Sequence, residues 1–117
     1  MKALSYLLIA IGVCAGAFGA HGLKGLVTPE RLEVFKTAST YQITMSIVLL
    51  LLTMDAEKPK GVLYLLLAGI LIFSSSLYLL VLLDIPILGA VTPIGGIAII
   101  MSLLLAAFFS WKKSALK

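Results

Sequence analysis

The chain has 117 residues, of which 62% are hydrophobic and only 12% charged, with a mean hydropathy of +1.18. A water-soluble domain is about half apolar and a quarter charged, so this composition excludes one, and it equally excludes disorder, which requires few apolar residues. Nine basic residues against five acidic ones leave a net charge of +4, and the single cysteine, Cys14, excludes an internal disulfide.

Four apolar runs follow one another, roughly Ala3–Ala20, Thr37–Met54, Gly61–Leu83 and Pro93–Trp111, and none contains Asp, Glu, Lys or Arg. About 20 helical residues cross a hydrocarbon core about 30 Å thick, and unbroken apolar runs satisfy their backbone there as helices. The runs predict an all-α membrane protein: a single four-helix transmembrane bundle over residues 1–117, with helices at about 3–20, 28–54, 61–83 and 93–111.

Lys2, the apolar stretch and Ala15-Gly16-Ala17 also fit the outline of a secretory signal. We read the run as a retained helix; Val13 before Cys14 speaks against a lipoprotein signal. Gly12, Gly16 and Ala20 recur every four residues, as do Ala15 and Gly19. Membrane helices associate by close backbone approach, since lipid is as apolar as leucine. Gly12, Gly16, Gly19 and Ala20 are therefore the expected packing face, within the molecule or between subunits.

The second helix opens with Thr28-Pro29, an N-cap followed by a first-turn proline, and Glu30 and Glu33 complement its dipole. It starts outside the hydrocarbon and enters it near Thr37, with Arg31 and Lys36 facing headgroups or water. The third run carries Ser74, Ser75, Ser76 and Tyr78, and the fourth opens with a second Thr-Pro pair, Thr92-Pro93, expected to cap it. Val27-Thr28-Pro29 matches Val91-Thr92-Pro93, and Tyr6–Ala10 resembles Tyr64–Ala68, as if two helical hairpins shared a pattern. Trp111 beside Lys112 and Lys113 forms an interfacial anchor. Lys2, Lys58, Lys60, Lys112, Lys113 and Lys117 fall on one side and Lys24, Arg31 and Lys36 on the other, so the positive-inside rule puts both termini in the cytoplasm.

Polar side chains within the runs gather toward the outer side. His21, Tyr41, Gln42, Ser74, Ser76 and Tyr78 are the candidates for an outward pocket that takes a ligand or lipid headgroup. The competing expectation is structural: hydroxyls that bond their own helix and an amide that ties helices together.

Several chemistries lack the necessary residues. Proton-coupled export needs a membrane-embedded carboxylate, and all five acids lie at helix ends or in loops. A constitutive aqueous channel needs polar lining through its full depth, whereas Ile47–Leu52 and Leu103–Phe109 are almost wholly apolar. Hydrolysis would rest on Ser74–Ser76 with a lone His21 and no embedded acid. Cys14 and His21 are the only Cys and His, so neither metal nor cofactor is expected. No continuous basic face suits nucleic acid, and the Lys112/Lys113/Lys117 cluster suits anionic lipid.

Gly16-Ala17-Phe18-Gly19-Ala20-His21-Gly22-Leu23-Lys24, then Tyr41-Gln42, then Phe73-Ser74-Ser75-Ser76-Leu77-Tyr78, then Gly89-Ala90-Val91-Thr92-Pro93-Ile94-Gly95-Gly96 resembles the YgdD/YwdK family of small bacterial inner-membrane proteins. The resemblance implies four spans in the cytoplasmic membrane and brings no established activity. This chain has Met45, Ser75 and Leu103 where the family pattern has histidine, glycine and tryptophan. The missing second histidine argues against a histidine pair acting on protons or metal and leaves His21 and Gln42 as the better candidates for a shared polar site. The expectation is a non-enzymatic multi-pass protein that contacts membrane lipid or forms a homo-oligomer; the alternative is a small transporter or channel subunit with the pocket as outer vestibule.

Overall fold

The computed structural model describes residues 1–115, the side chain of Ala20 excepted. Four long helices carry the fold: α1 (Lys2–His21), α2 (Pro29–Thr53), α3 (Lys60–Leu83) and α4 (Thr92–Ala115), with a short 3-10 helix, Pro86–Ala90, between the last two. All four are long and apolar enough to cross a membrane.

Local chemistry sets the ends. The Thr28 hydroxyl accepts from the Arg31 N–H, and Pro29 occupies the first turn of α2. Helix α3 ends on Asp84 in the left-handed region at φ 54°, a conformation Asp tolerates better than most residues. Its carboxylate pairs with Arg31, which fastens the start of α2 to the end of α3. At the opposite end Lys113 pairs with Glu57, and Lys58 lies 3.0 Å from Asp55. The Lys58 ammonium, aided by the Glu57 N–H, holds the Asp55 carboxyl below its ordinary value.

Thr92 behaves differently from the expected cap. The preceding 3-10 helix carries the chain into helical geometry early, so Thr92 is already within α4. Its hydroxyl lies 3.3 Å from the Leu88 carbonyl and 2.6 Å from the Ser76 hydroxyl.

Among the described residues the helices pack in sequence: α1 on α2, α2 on α3, α3 on α4. The result is a slab of 56 × 26 × 17 Å rather than a closed square bundle. The small residues explain this. Gly12, Gly16 and Gly19 all turn toward α2, against Ile43, Ser39 and Phe35 respectively; the side chain of Ala20 lies outside the described residues. No glycine face of α1 then remains to draw α4 against it. The closest crossing joins α3 to α4. A Cβ on Gly95 would stand 2.5 Å from the Phe73 nitrogen, and one on Gly69 would stand 2.8 Å from the Ile99 nitrogen. Backbone meets backbone there, and only glycine fits.

Two apolar clusters fill the slab. The larger, around Leu49, Leu66 and Ile70, occupies the half near the Glu57–Lys113 pair. The smaller joins Leu23, Phe35 and Val81 near the Arg31–Asp84 pair. Outside them, apolar side chains face outward over the whole length, with Leu7 59%, Ile97 61% and Leu104 59% exposed. Such a surface is stable in hydrocarbon and not in water.

The crossing yields a direct test. Gly95→Ala should lose up to about 2 kcal/mol of stability in detergent, overpacking of about 1–3 kcal/mol being partly offset by a helix-propensity gain of about 1 kcal/mol. Gly61→Ala, where an added Cβ meets nothing within 4 Å, should be neutral or slightly stabilising. Thermal unfolding followed by circular dichroism separates the two.

Candidate functional site

Helix geometry decides which candidates meet, because successive residues on a helix are rotated by about 100°. Gln42 faces inward from α2, 4% exposed, while its neighbour Tyr41 is 47% exposed. Ser74 and Ser76, two positions apart on α3, likewise turn to different neighbours.

Gln42 is the hub. Its Nε2 donates to the Leu8 carbonyl of α1 at 2.7 Å, and its Oε1 accepts from the Tyr78 hydroxyl of α3 at 2.8 Å. One amide therefore bridges three helices. Gly12 makes the first bond accessible. In a helix the side chain at position i covers the carbonyl near i−4, and Gly12 leaves that of Leu8 open. The Cγ of Gln42 would lie 3.5 Å from a Cβ at Gly12. The Tyr78 ring packs on Phe35 with centroids 5.0 Å apart, and Phe35 meets Phe18 at 6.1 Å. Ser74 donates to the Ala38 carbonyl at 3.1 Å, a second tie between α3 and α2.

Gln42, Ser74 and Tyr78 thus converge, on the wall of a lateral cavity of about 220 Å³ completed by Leu8, Ile11, Ile70, Leu71 and Ser75. The other three candidates lie elsewhere. Ser76 faces α4 and meets Thr92. Tyr41 stacks edge-on against Phe73, centroids 5.2 Å apart, on a different groove. His21 is exposed at the end of α1. The six do not form one pocket.

Sequence reasoning missed two features. The acceptors at Leu8 and Ala38 are backbone carbonyls, which leave no mark in a sequence. The larger groove, about 450 Å³, runs between α2 and α4 across α3, lined by Thr37, Tyr41, Met45, Phe73, Gly96, Ile99, Ile100 and Leu103. Its one legible signal is the Gly95-Gly96 pair: Gly95 closes on α3, whereas a Cβ on Gly96 would meet only the Phe73 ring at 3.8 Å. Among the described residues no group of three His, Cys, Asp or Glu side chains is placed to hold a metal ion.

The hub predicts coupled energetics. Tyr78→Phe should cost about 0.6–1 kcal/mol and Gln42→Leu about 1–2 kcal/mol, within the range of interhelical hydrogen bonds in membranes. The double variant should lose less than the sum, because both changes remove the same bond. Detergent unfolding of the four proteins in the cycle measures this.

Comparison with known proteins agrees with a membrane protein. Residues 15–96 match the family model described as "Protein of unknown function (DUF423)". The chain is 42% identical over 101 residues to the UPF0382 membrane protein YwdK of Bacillus subtilis, covering 81% of this chain and 80% of that one. It is 38% identical over 109 residues to the UPF0382 membrane protein SAB0533 of Staphylococcus aureus, covering 90% and 88%. With the UPF0382 membrane protein SH2409 of Staphylococcus haemolyticus it shares 35% identity over 113 residues, 93% of each chain. No solved structure matches. The four apolar helices and these matches along most of the chain place the protein in the DUF423 family, whose relatives carry the name UPF0382 membrane proteins and whose function is unknown.

Proposed function

We propose that this protein is a non-enzymatic, multi-pass component of the bacterial cytoplasmic membrane, with both termini in the cytoplasm, that acts through lateral contact with lipid. One observation carries the proposal: the polar groups at the centre of the slab, the Ser46 hydroxyl excepted, are hydrogen-bonded within the protein, and the cavities beside them open sideways. Gln42 is closed by Leu8 and Tyr78, Ser74 by Ala38, Ser76 by Thr92 and Phe73, and Ser102 by the Ile99 carbonyl. Groups so engaged favour packing over solute passage, which needs polar sites free to exchange water for cargo. The grooves are walled mainly by aliphatic and aromatic side chains, a surface that suits acyl chains. The glycine face of α1 lies on α2, which favours lipid over a second copy as the partner.

Orientation rests on the basic residues. Lys2, Lys58, Lys60, Lys112 and Lys113 accompany the end that holds the Glu57–Lys113 pair, and such excess marks the cytoplasmic side. A cysteine at Ala56, in a variant with Cys14 replaced, should react with an impermeant reagent only in inverted vesicles. A cysteine at Gly25 should react only in right-side-out ones. The reverse pattern would refute the orientation.

Function is tested in proteoliposomes. Solute flux should stay at the level of protein-free vesicles for wild type and Gln42→Leu, while Gln42→Leu lowers the unfolding temperature. Flux that depends on Gln42 in a protein that stays folded would establish the transporter instead.

A further inference from the structure

We infer that the α2–α4 groove holds one acyl chain of a phospholipid with a zwitterionic, amine-bearing headgroup, drawn from the leaflet at the Arg31–Asp84 end. The inference rests on the lipid-contact reading above and adds the site, the occupant and the means of recognition.

The groove has the right depth. Helices α2 and α4 both run antiparallel to α3, so Thr37 to Met45 and Gly96 to Leu103 descend side by side from the membrane surface toward its middle. Charges stop at Lys36, one residue above Thr37. A space of about 450 Å³ open to hydrocarbon is filled by lipid chains or by protein, since water has no partners on apolar walls. Eight residues line it, against about 20–30 residues a side in a stable protein interface. That scale fits a lipid chain better than a second copy.

Gly96 shapes the space. Its missing side chain leaves the groove floor on the Phe73 ring, while the Gly69–Gly95 crossing draws α4 onto α3 and away from α2.

The mouth supplies charge complementarity. Glu30, Glu33, Thr37 and Tyr41 recur at helical spacing on one face of α2. Glu33 stands about 6 Å above Thr37 at 1.5 Å per residue, which matches a headgroup layer of about 6 Å. Lys36 Nζ is held 3.6 Å from Glu33 Oε1, both side chains exposed. The Glu30 and Glu33 carboxylates on the groove face complement a headgroup that carries an amine beyond its phosphate, while Lys36, turned about 100° from Thr37, stays beside Glu33 toward the α1 side. An anionic headgroup without an amine would meet net repulsion at Glu30 and Glu33.

The full-length protein is reconstituted in bilayers holding equal parts of ethanolamine-headed and glycerol-headed phospholipid with identical acyl chains. It is then extracted in mild detergent, and retained lipid is measured by native mass spectrometry. Wild type should retain one lipid per chain, with the ethanolamine headgroup favoured about tenfold, the ratio that 1.4 kcal/mol of differential binding produces. Gly96→Leu, which fills the floor, and Ile100→Phe, which enlarges an exposed side chain on the rim, should each lower occupancy about tenfold with little change in unfolding temperature. If Gly96→Leu fails to fold, Ile100→Phe decides. The double variant Glu30→Gln/Glu33→Gln should keep the lipid and lose the headgroup preference. Wild-type occupancy in the filled variants, a preference for the glycerol headgroup, or a dimer that closes the groove overturns the inference while leaving lipid contact intact. A wild type that retains no lipid overturns both.

Discussion

A primary amide in hydrocarbon must find its partners inside the protein, because the solvent offers none. Gln42 meets that constraint by donating to a carbonyl of α1 and accepting from a hydroxyl of α3. It sits between the two apolar clusters of the slab and links three of the four helices. Much else follows from the same constraint: Gly12 exposes the carbonyl that receives the amide, and the Phe18–Phe35–Tyr78 cluster holds the hydroxyl that meets it. The fourth helix is attached by another means available in lipid, the bare backbone contact of Gly69 with Gly95.

Both devices leave an apolar outer surface along the length of the helices. Sequential packing makes a slab rather than a ring, and a slab of helices has lateral furrows where a ring would have a central cavity. The furrows are apolar, sideways-facing and bordered by charge only at the ends of the spans. Solute transport requires polar groups that exchange partners; here Gln42, Ser74, Ser76 and Ser102 are engaged within the protein, and among the described residues the Ser46 hydroxyl is the one buried side-chain group without a partner. Lipid contact asks only for shape at hydrocarbon depth and suitable charge at headgroup depth.

The membrane architecture was legible in the sequence because hydrophobic length is a coarse property. Four uncharged runs in 117 residues have few alternatives, and the Thr28-Pro29 start of α2 carries its own capping chemistry. The site was legible only in part. Adjacent residues such as Tyr41 and Gln42 diverge by about 100° on a helix, so a list of polar residues at one depth does not make a pocket. Gln42, Ser74 and Tyr78 share a face toward α1–α3; Ser76, Tyr41 and His21 do not. The neighbours Gly95 and Gly96 look alike in sequence, yet one bears on a backbone and the other opens a groove. That difference depends on the rotation of α4 about its axis, which hydrophobicity in a uniformly apolar helix does not encode.

Solid-state NMR of the isotopically labelled protein in lipid bilayers examines the hub where it operates. The side-chain nitrogen of Gln42 should show a close through-space contact with the carbonyl carbon of Leu8 and no polarisation transfer from water. A Gln42 amide that exchanges with water and lacks the Leu8 contact would mean a hydrated vestibule in place of a sealed helix junction, and would contradict the account.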